Sequence, residues 1–270
     1  MKIIRRLRYL SPAFTVVILS SMAGSTAFGA HPLITDDTGT QGKGKFQMEM
    51  NGEDARGKEI LNGVERRKDT QKFAVILSAG SVNAVDIVVG VPWLWSRVKE
   101  NGTTVSDGSG VGDASFEVKW RFFERGGFSL GVKPGLTLPT GNEKKGLGNG
   151  RPSYGLTLIA TQEFERSFLH LNVRYARNEF ALEADRESNR RDLWNGSVAA
   201  GVKIVKPLTL IANIGAETNG DKDSNTWLAF LLGGFIYSVT ENLDVDLGIK
   251  AGLNSSEDDL AVLAGVAWRF

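Results

Sequence analysis

Along most of the chain apolar and polar residues alternate singly. In "KFQMEMNG", Phe46, Met48 and Met50 share one face and Gln47, Glu49 and Asn51 the other. "SFEVKWRFF" sets Phe116, Val118, Trp120 and Phe122 against Ser115, Glu117, Lys119 and Arg121, and "LDVDLGIKAGL" repeats the pattern from Leu243 to Ala251. A period of two separates the faces of a strand, whereas a helix would mix them. About twelve such runs are predicted, near 44–52, 70–79, 85–95, 113–123, 127–138, 153–163, 168–177, 193–203, 208–217, 227–237, 243–253 and 259–270. Most are about ten residues long, which matches a tilted strand crossing a bilayer (about 9–11 residues) better than an ordinary soluble strand (about 5–6).

The connections alternate in length. "GSVNA", "ERGG", "ERS", "VKP" and "VTEN" are short; "GEDARGKEILNGVERRK", "SRVKENGTTVSDGSGVG", "PTGNEKKGLGNGRP", "NEFALEADRESNRRD" and "TNGDKDSN" are long. Outer-membrane barrels pair short periplasmic turns with longer external loops, and an even strand count puts both chain ends on the short-turn side. With that topology the six tryptophans fall at strand ends. Trp93, Trp95, Trp194 and Trp227 lie externally with Tyr154 and Tyr175; Trp120, Trp268 and Tyr237 lie at the periplasmic end near Phe46, Phe122, Phe128, Phe168 and Phe270. Indole and phenol rings favour the headgroup layer, apolar on one edge and hydrogen-bonding on the other. In lipid an unpaired backbone amide costs several kcal/mol, so the sheet must close. The expected fold is therefore all-β: a closed antiparallel transmembrane β-barrel of about 12 strands, with 259–270 pairing to 44–52. Trp268 and Phe270 also resemble the assembly signal of such barrels.

Composition narrows this further. Of 270 residues 41% are hydrophobic, yet past the N-terminus no apolar run reaches the roughly 18 residues of a transmembrane helix. There is no cysteine, which excludes disulfides and thiolate chemistry. Residues 1–29 read as a signal peptide: Lys2, Arg5, Arg6 and Arg8, then an apolar core, then small residues up to Ala30, with cleavage near 27–30. That leader holds four of the 32 basic residues and no acidic one, leaving 28 basic against 31 acidic, net about −3. No nucleic-acid partner is expected, since that wants a basic face. Residues 30–43 form a polar periplasmic segment, free to tuck into the barrel as a plug or to remain solvated, and 44–270 form the barrel. Asp36 and Asp37 could pair with basic lumen residues.

The inward face is heavily charged. Glu49, Glu117, Lys119, Arg121, Lys133, Arg174, Asp244, Asp246 and Lys250 are the candidate lumen lining, with Asp86, Glu163, Lys72, Lys203 and Arg269 beside them. A midplane Arg or Lys facing lipid costs about 2–4 kcal/mol, so these side chains must point inward. They form either a wall of cross-strand ion pairs or a constriction that selects solutes. One strand departs from the pattern: in "WLAFLLGGFIYS" the inward residues Leu228, Phe230, Leu232 and Ile236 are apolar. They either guide a hydrophobic solute or pack beneath a loop or the N-terminal segment.

Catalytic chemistry is poorly supplied. The two histidines are His31, beside the cleavage site, and His170, inward near the periplasmic end. Neither suits a barrel hydrolase, whose histidine sits near the external rim with a nucleophile in reach. "GNEKKGLGNG" lacks phosphate-loop spacing, and "GDKDSN" and "NSSEDD" read as solvated loop charge. No catalytic residue, metal site or cofactor is expected.

"PLITDDTGTQGKGKFQMEM", "GVGDASFEVKWRFFE", "PGLTLPTGNEKKGLGNGRPSYGLTLIAT", "ENLDVDLGIKAGL" and the terminal "AGVAWRF" together resemble the family named after the meta pathway of phenol degradation. The resemblance covers nearly the whole chain after the leader, and "LTLPTGN" and "TDDTGT" are its more specific parts. It implies a barrel in the outer membrane of a Gram-negative bacterium, with hydrophobic or aromatic compounds as candidate solutes, and supplies no catalytic motif. The expected function is an outer-membrane channel for passive transport of small solutes. A non-conducting structural or surface-interaction barrel is the alternative, and a barrel enzyme comes third. The expected partners are outer-membrane lipid, the barrel assembly machinery and a small solute; oligomeric state is left open.

Overall fold

The computed structural model describes residues 31–61 and 64–270; the expected signal peptide lies outside them. Thirteen strands follow in chain order: β1 Phe46–Leu61, β2 Val64–Val82, β3 Val85–Glu100, β4 Thr103–Val111, β5 Ala114–Arg125, β6 Phe128–Leu138, β7 Ser153–Glu163, β8 Ser167–Arg177, β9 Asp192–Val205, β10 Leu208–Glu217, β11 Leu228–Ser238, β12 Leu243–Gly252 and β13 Leu260–Arg269. Each pairs antiparallel with its neighbours. β13 pairs with β1 from Gln47↔Arg269 to Arg56↔Leu260, so the sheet has no open seam at the chain ends. Twelve strands close the barrel. β4 is an addition: β3 pairs with β5 over Val85–Gly90 and with β4 over Trp93–Glu100.

The distribution of side chains is inverted relative to a soluble protein. On β8, Leu169, Leu171 and Val173 are 45%, 47% and 43% exposed, while the alternating His170 and Asn172 are 7% and 3% exposed. All six tryptophans are exposed on the outer face. Val85 pairs with Trp120, and Trp93 lies eight residues further along β3. At about 3.3 Å per residue and a tilt of about 40°, the two aromatic levels are about 20 Å apart in depth, close to the apolar band of a membrane barrel.

The predicted runs and the observed strands coincide closely except at the long-loop end of β1 to β4. "GEDARGKEILNGVERRK" and "SRVKENGTTVSDGSGVG", read as loops, run mostly as strand in their described residues, extending β1 to Leu61, β2 back to Val64, β3 to Glu100 and forming β4, so these hairpin arms continue the sheet beyond the aromatic level. Apart from buried Ala55 and Val98, most described side chains there meet water on both faces, so the apolar–polar alternation that marks a half-buried strand no longer applies. Two arms carry cross-strand charge pairs instead: Lys58 Nζ lies 2.8 Å from Glu65 and Arg97 2.9 Å from Asp107.

At the short-turn end the closing strands exchange both bonds of one pair: Phe46 N–H donates to Phe270 O at 2.9 Å and Phe270 N–H to Phe46 O at 3.0 Å. Their rings stack at 5.7 Å, and Trp268 packs on Phe270 at 4.7 Å. Deleting Phe270 removes a terminal pair and exposes a strand edge to lipid, so insertion should slow. Heat-modifiable migration on a detergent gel measures it; a folded fraction equal to that of the full chain would refute the role.

A lumenal plug and the residues that hold it

Residues 31–41 lie inside the barrel and pass across it near the short-turn end, and 42–44 lead out to β1. The path can be followed by contacts. His31 Nδ1 is 2.6 Å from Asp246 Oδ1 on β12. The amides of Ile34 and Thr35 donate to Asn213 Oδ1 on β10 at 2.7 and 3.1 Å, and Asn213 Nδ2 donates to Thr35 Oγ1 at 2.8 Å. Asp36 and Asn172 on β8 exchange two bonds, Asp36 N–H to Asn172 Oδ1 and Asn172 Nδ2 to Asp36 O. Thr38 reaches β7 and β6, through its N–H to Thr161 Oγ1 and its hydroxyl to Ser129 Oγ at 2.5 Å. Gln41 N–H meets the Asp86 carboxylate on β3. The segment then leaves the lumen over Gly80: Gly44 N–H donates to Gly80 O, and a Cβ at Gly80 would lie 1.8 Å from Gly42 O. Only glycine permits that approach.

The first half, His31–Asp37, has no glycine and bonds to the wall through the amides of Ile34, Thr35 and Asp36; from Thr38 to Gly44 polar residues alternate with glycine, which lets the chain turn out of the lumen. Thr35 is fully buried and Thr38 nearly so. A buried backbone amide without a partner costs about 1–3 kcal/mol, and the inward Asn, Thr and Ser side chains remove that cost.

Several of the predicted lumen charges meet one another or the plug, and others pair with residues of the turns and loops. Lys119 Nζ lies 2.7 Å from Asp36 and 3.7 Å from Asp37, and Lys133 Nζ lies 2.7 Å from the other Asp36 oxygen and 3.3 Å from Glu117. Burial alone would raise the Asp36 carboxyl, but the ammonium groups of Lys119 and Lys133 outweigh it and hold it well below the usual carboxylate range. That pairing contributes stability above the ordinary carboxylate pKa and is lost only as pH falls through the depressed value. Arg121 pairs with Glu124 at 3.2 Å. Asp244 takes Arg269 at 2.5 Å, whose Nε donates to Gln47, and Gln47 Nε2 donates to Glu49. Lys250 joins Glu257 at 3.1 Å and lies 5.9 Å from the Phe230 ring centroid. Arg174 is exposed within the lumen and lines a cavity of about 60 Å³ with Glu117, Lys133 and Thr157.

The apolar candidates are covered. Phe230, Leu232 and Ile236 are 5%, 1% and 6% exposed and cluster with Leu33 of the plug, Ile211 and Leu263; Leu228 is half-buried at the strand end. In this closed arrangement they are packing for the segment rather than an open track. His170 serves the same scaffold: its ring stacks on Phe168 at 4.4 Å and its Nδ1 is 3.0 Å from Thr161 Oγ1, the atom that accepts Thr38 N–H. Sequence reasoning missed Asn213, Asn172, Thr161 and Ser129. Their inward parity was readable, but uncharged polar residues give no signal separating a plug contact from a wetted wall.

At the other mouth, Asp113 organises the long connection after β6. Its carboxylate accepts from Gly141 N–H at 2.9 Å and Asn149 N–H at 2.7 Å, and Leu147 is buried beneath. Loops 178–191 and 218–227 are joined by Arg190, which donates to the carbonyls of Asp221, Lys222 and Ser224.

Asn213→Leu should orphan two plug amides at a cost of about 1–3 kcal/mol each. Hydrogen exchange at Ile34 and Thr35 should accelerate at least tenfold while exchange in β10 itself is retained. Unchanged exchange at both amides would show that the segment is held elsewhere.

Similar structures share this architecture. An outer membrane channel from Pseudomonas putida F1 superposes with a TM-score of 0.68 at 13% identity, covering 87% of this chain and 98% of that one. The translocator domain of the autotransporter NalP from Neisseria meningitidis gives 0.55 at 13%, covering 85% and 89%. The KdgM porin in complex with disordered oligogalacturonate gives 0.54 at 10%, covering 82% and 99%. No curated protein matches in sequence. Residues 34–270, from within the plug to the closing strand, match the family described as "Putative MetA-pathway of phenol degradation", and the chain belongs to that family.

Proposed function

We propose that this barrel is a passive channel for small solutes in the outer membrane of a Gram-negative bacterium, and that residues 31–44 are its gate. The observation that carries the reading is the chemistry of the plug contacts. The segment is held mostly by hydrogen bonds and ion pairs to a polar wall, each worth only about 0.5–1.5 kcal/mol net for a hydrogen bond. Fixing each of its residues costs about 1–2 kcal/mol of backbone entropy. A segment with that balance belongs to the part of a structure that opens before the rest. Its departure would leave a water-lined path through twelve strands.

Hydrophobic or aromatic compounds are the solutes we favour. Family membership supports this, since the family's description concerns phenol degradation. The cluster of Phe230, Leu232 and Ile236 supports it too: withdrawal of Leu33 would uncover an apolar face beside a charged one, suited to a ring that carries a polar group.

Asp36→Asn removes the anion shared by Lys119 and Lys133 and should loosen the plug. In planar bilayers the variant should open at least tenfold more often than the parent, at the same single-channel conductance. A folded barrel silent in both forms would instead favour the non-conducting reading. Phe230→Asp should slow uptake of aromatic solutes into vesicles severalfold with little change in ion conductance; equal uptake would remove the apolar cluster from the pathway.

A further inference from the structure

Most cations of the lumen face already have an anion. Lys119, Lys133, Lys250 and Arg269 bind carboxylates, and Arg121 pairs with Glu124. Arg174 differs. His170 and Asn172, on the same face of β8, are buried, whereas Arg174 is exposed and, among the described residues, has no hydrogen bond and no ion pair. Its cross-strand neighbours Thr157 and Asn195 are uncharged. The first acid along its row toward β10, Glu217, is two strands away, about 10 Å. Water can solvate the guanidinium there, so the fold makes no use of its charge.

Arg174 stands at the edge of an alcove in the barrel wall. Lys133, Thr157 and Arg174 form one row across β6, β7 and β8, and Gly135, Gly155 and Ala176 form the next inward row toward the long loops. Glu117 lies over Gly135, where a Cβ would be 2.9 Å from its Cγ. Gly155 stays bare: the atoms nearest a Cβ there belong to Tyr175 O and to Ala176, at 3.0 to 3.7 Å, and no long side chain comes nearer. Asn172, the next inward residue toward the short turns, holds Asp36, so the alcove lies directly on the long-loop side of the plug. It measures about 60 Å³. A single water needs about 10–15 Å³ of such space, so a carboxylate fits but a ring does not.

We propose that this alcove is a solute subsite that takes the carboxylate of a small organic acid while the rest of the molecule stays in the open lumen. The planar fork of Arg174 matches two carboxylate oxygens. The Thr157 hydroxyl, also unbonded among the described residues, is a further donor beside it. Lys133 Nζ spends two of its three N–H groups on Asp36 and Glu117 and has one left. Glu117 is offset by Lys133, so the lining keeps an excess of one positive charge. The inference deepens the channel reading and rests on it: among ring-bearing solutes it selects those that carry an acid.

The probe is 4-fluorobenzoate, followed by fluorine NMR on the folded barrel in an uncharged detergent, with empty micelles as reference. Its line should broaden saturably, and benzoate should displace it where neutral benzamide does not. Arg174→Gln should weaken binding at least tenfold, as loss of a charge-assisted hydrogen bond implies, with Arg174→Lys between the two. Both variants should remain heat-modifiable on gels, which separates loss of the site from loss of the fold. Equal affinity in parent and Arg174→Gln, displacement by benzamide as strong as by benzoate, or no saturable broadening would overturn the proposal. Arginine-dependent binding in a barrel that never conducts in planar bilayers would keep the alcove and reject the channel; a conducting barrel without such binding would do the reverse.

Discussion

Everything in this structure follows from the cost of an unpaired peptide group in hydrocarbon. Several kcal/mol for each lost amide bond forces the strands to close on themselves, which here means that β13 must find β1 across the whole length of the chain. Closure fixes the two faces. Lipid takes the apolar alternate residues and the lumen takes the polar ones, so buried positions are filled by Glu49, Asp86, Asn213 and Asp246 while leucines are exposed. A lumen wide enough for twelve strands cannot be filled by its own side chains as an eight-stranded barrel can be. The polar wall therefore has hydrogen-bonding capacity left over, and residues 31–41 use it.

The plug is built to be held without being fused to the barrel. Its contacts are spread over β3, β5, β6, β7, β8, β10 and β12, so no single strand must move to release it. The Asp36 node with Lys119 and Lys133 is the densest point, and the chain passes close over Gly80 of β2 at Gly42 before it enters β1. The apolar cluster around Leu33 completes the seat on the opposite side of the lumen.

Strand parity made most of the barrel legible from sequence. The alternation in "SFEVKWRFF" assigns Trp120 outward and Lys119 inward before any coordinates, because only one assignment keeps charge out of lipid. The arms beyond Asp54 and Ser96 were not legible. Apart from Ala55 and Val98 these arms stand mostly in water, and "EDARGKEIL" carries no period to read. The lumen charges were identifiable as inward but not as partners, since Lys133 meets Asp36 across nearly a hundred residues of chain and no local rule encodes that. Asn213 and Asn172 were invisible for a related reason. An inward asparagine looks the same whether it faces water or a plug amide. The apolar run in β11 was visible, yet its cover, Leu33, lay in a segment whose composition suits a solvated tail equally well.

The central claim is that residues 31–41 close the channel by lying in its lumen. Thr38 Oγ1 and Ser129 Oγ are 2.5 Å apart, and the chain is free of cysteine, so the double variant Thr38→Cys/Ser129→Cys can lock the plug to β6 with one reversible bond. Single-channel recording of that variant before and after reduction tests the claim most directly. The account predicts a silent channel when oxidised and openings restored by a thiol reductant; openings of equal frequency and size in both states would contradict it.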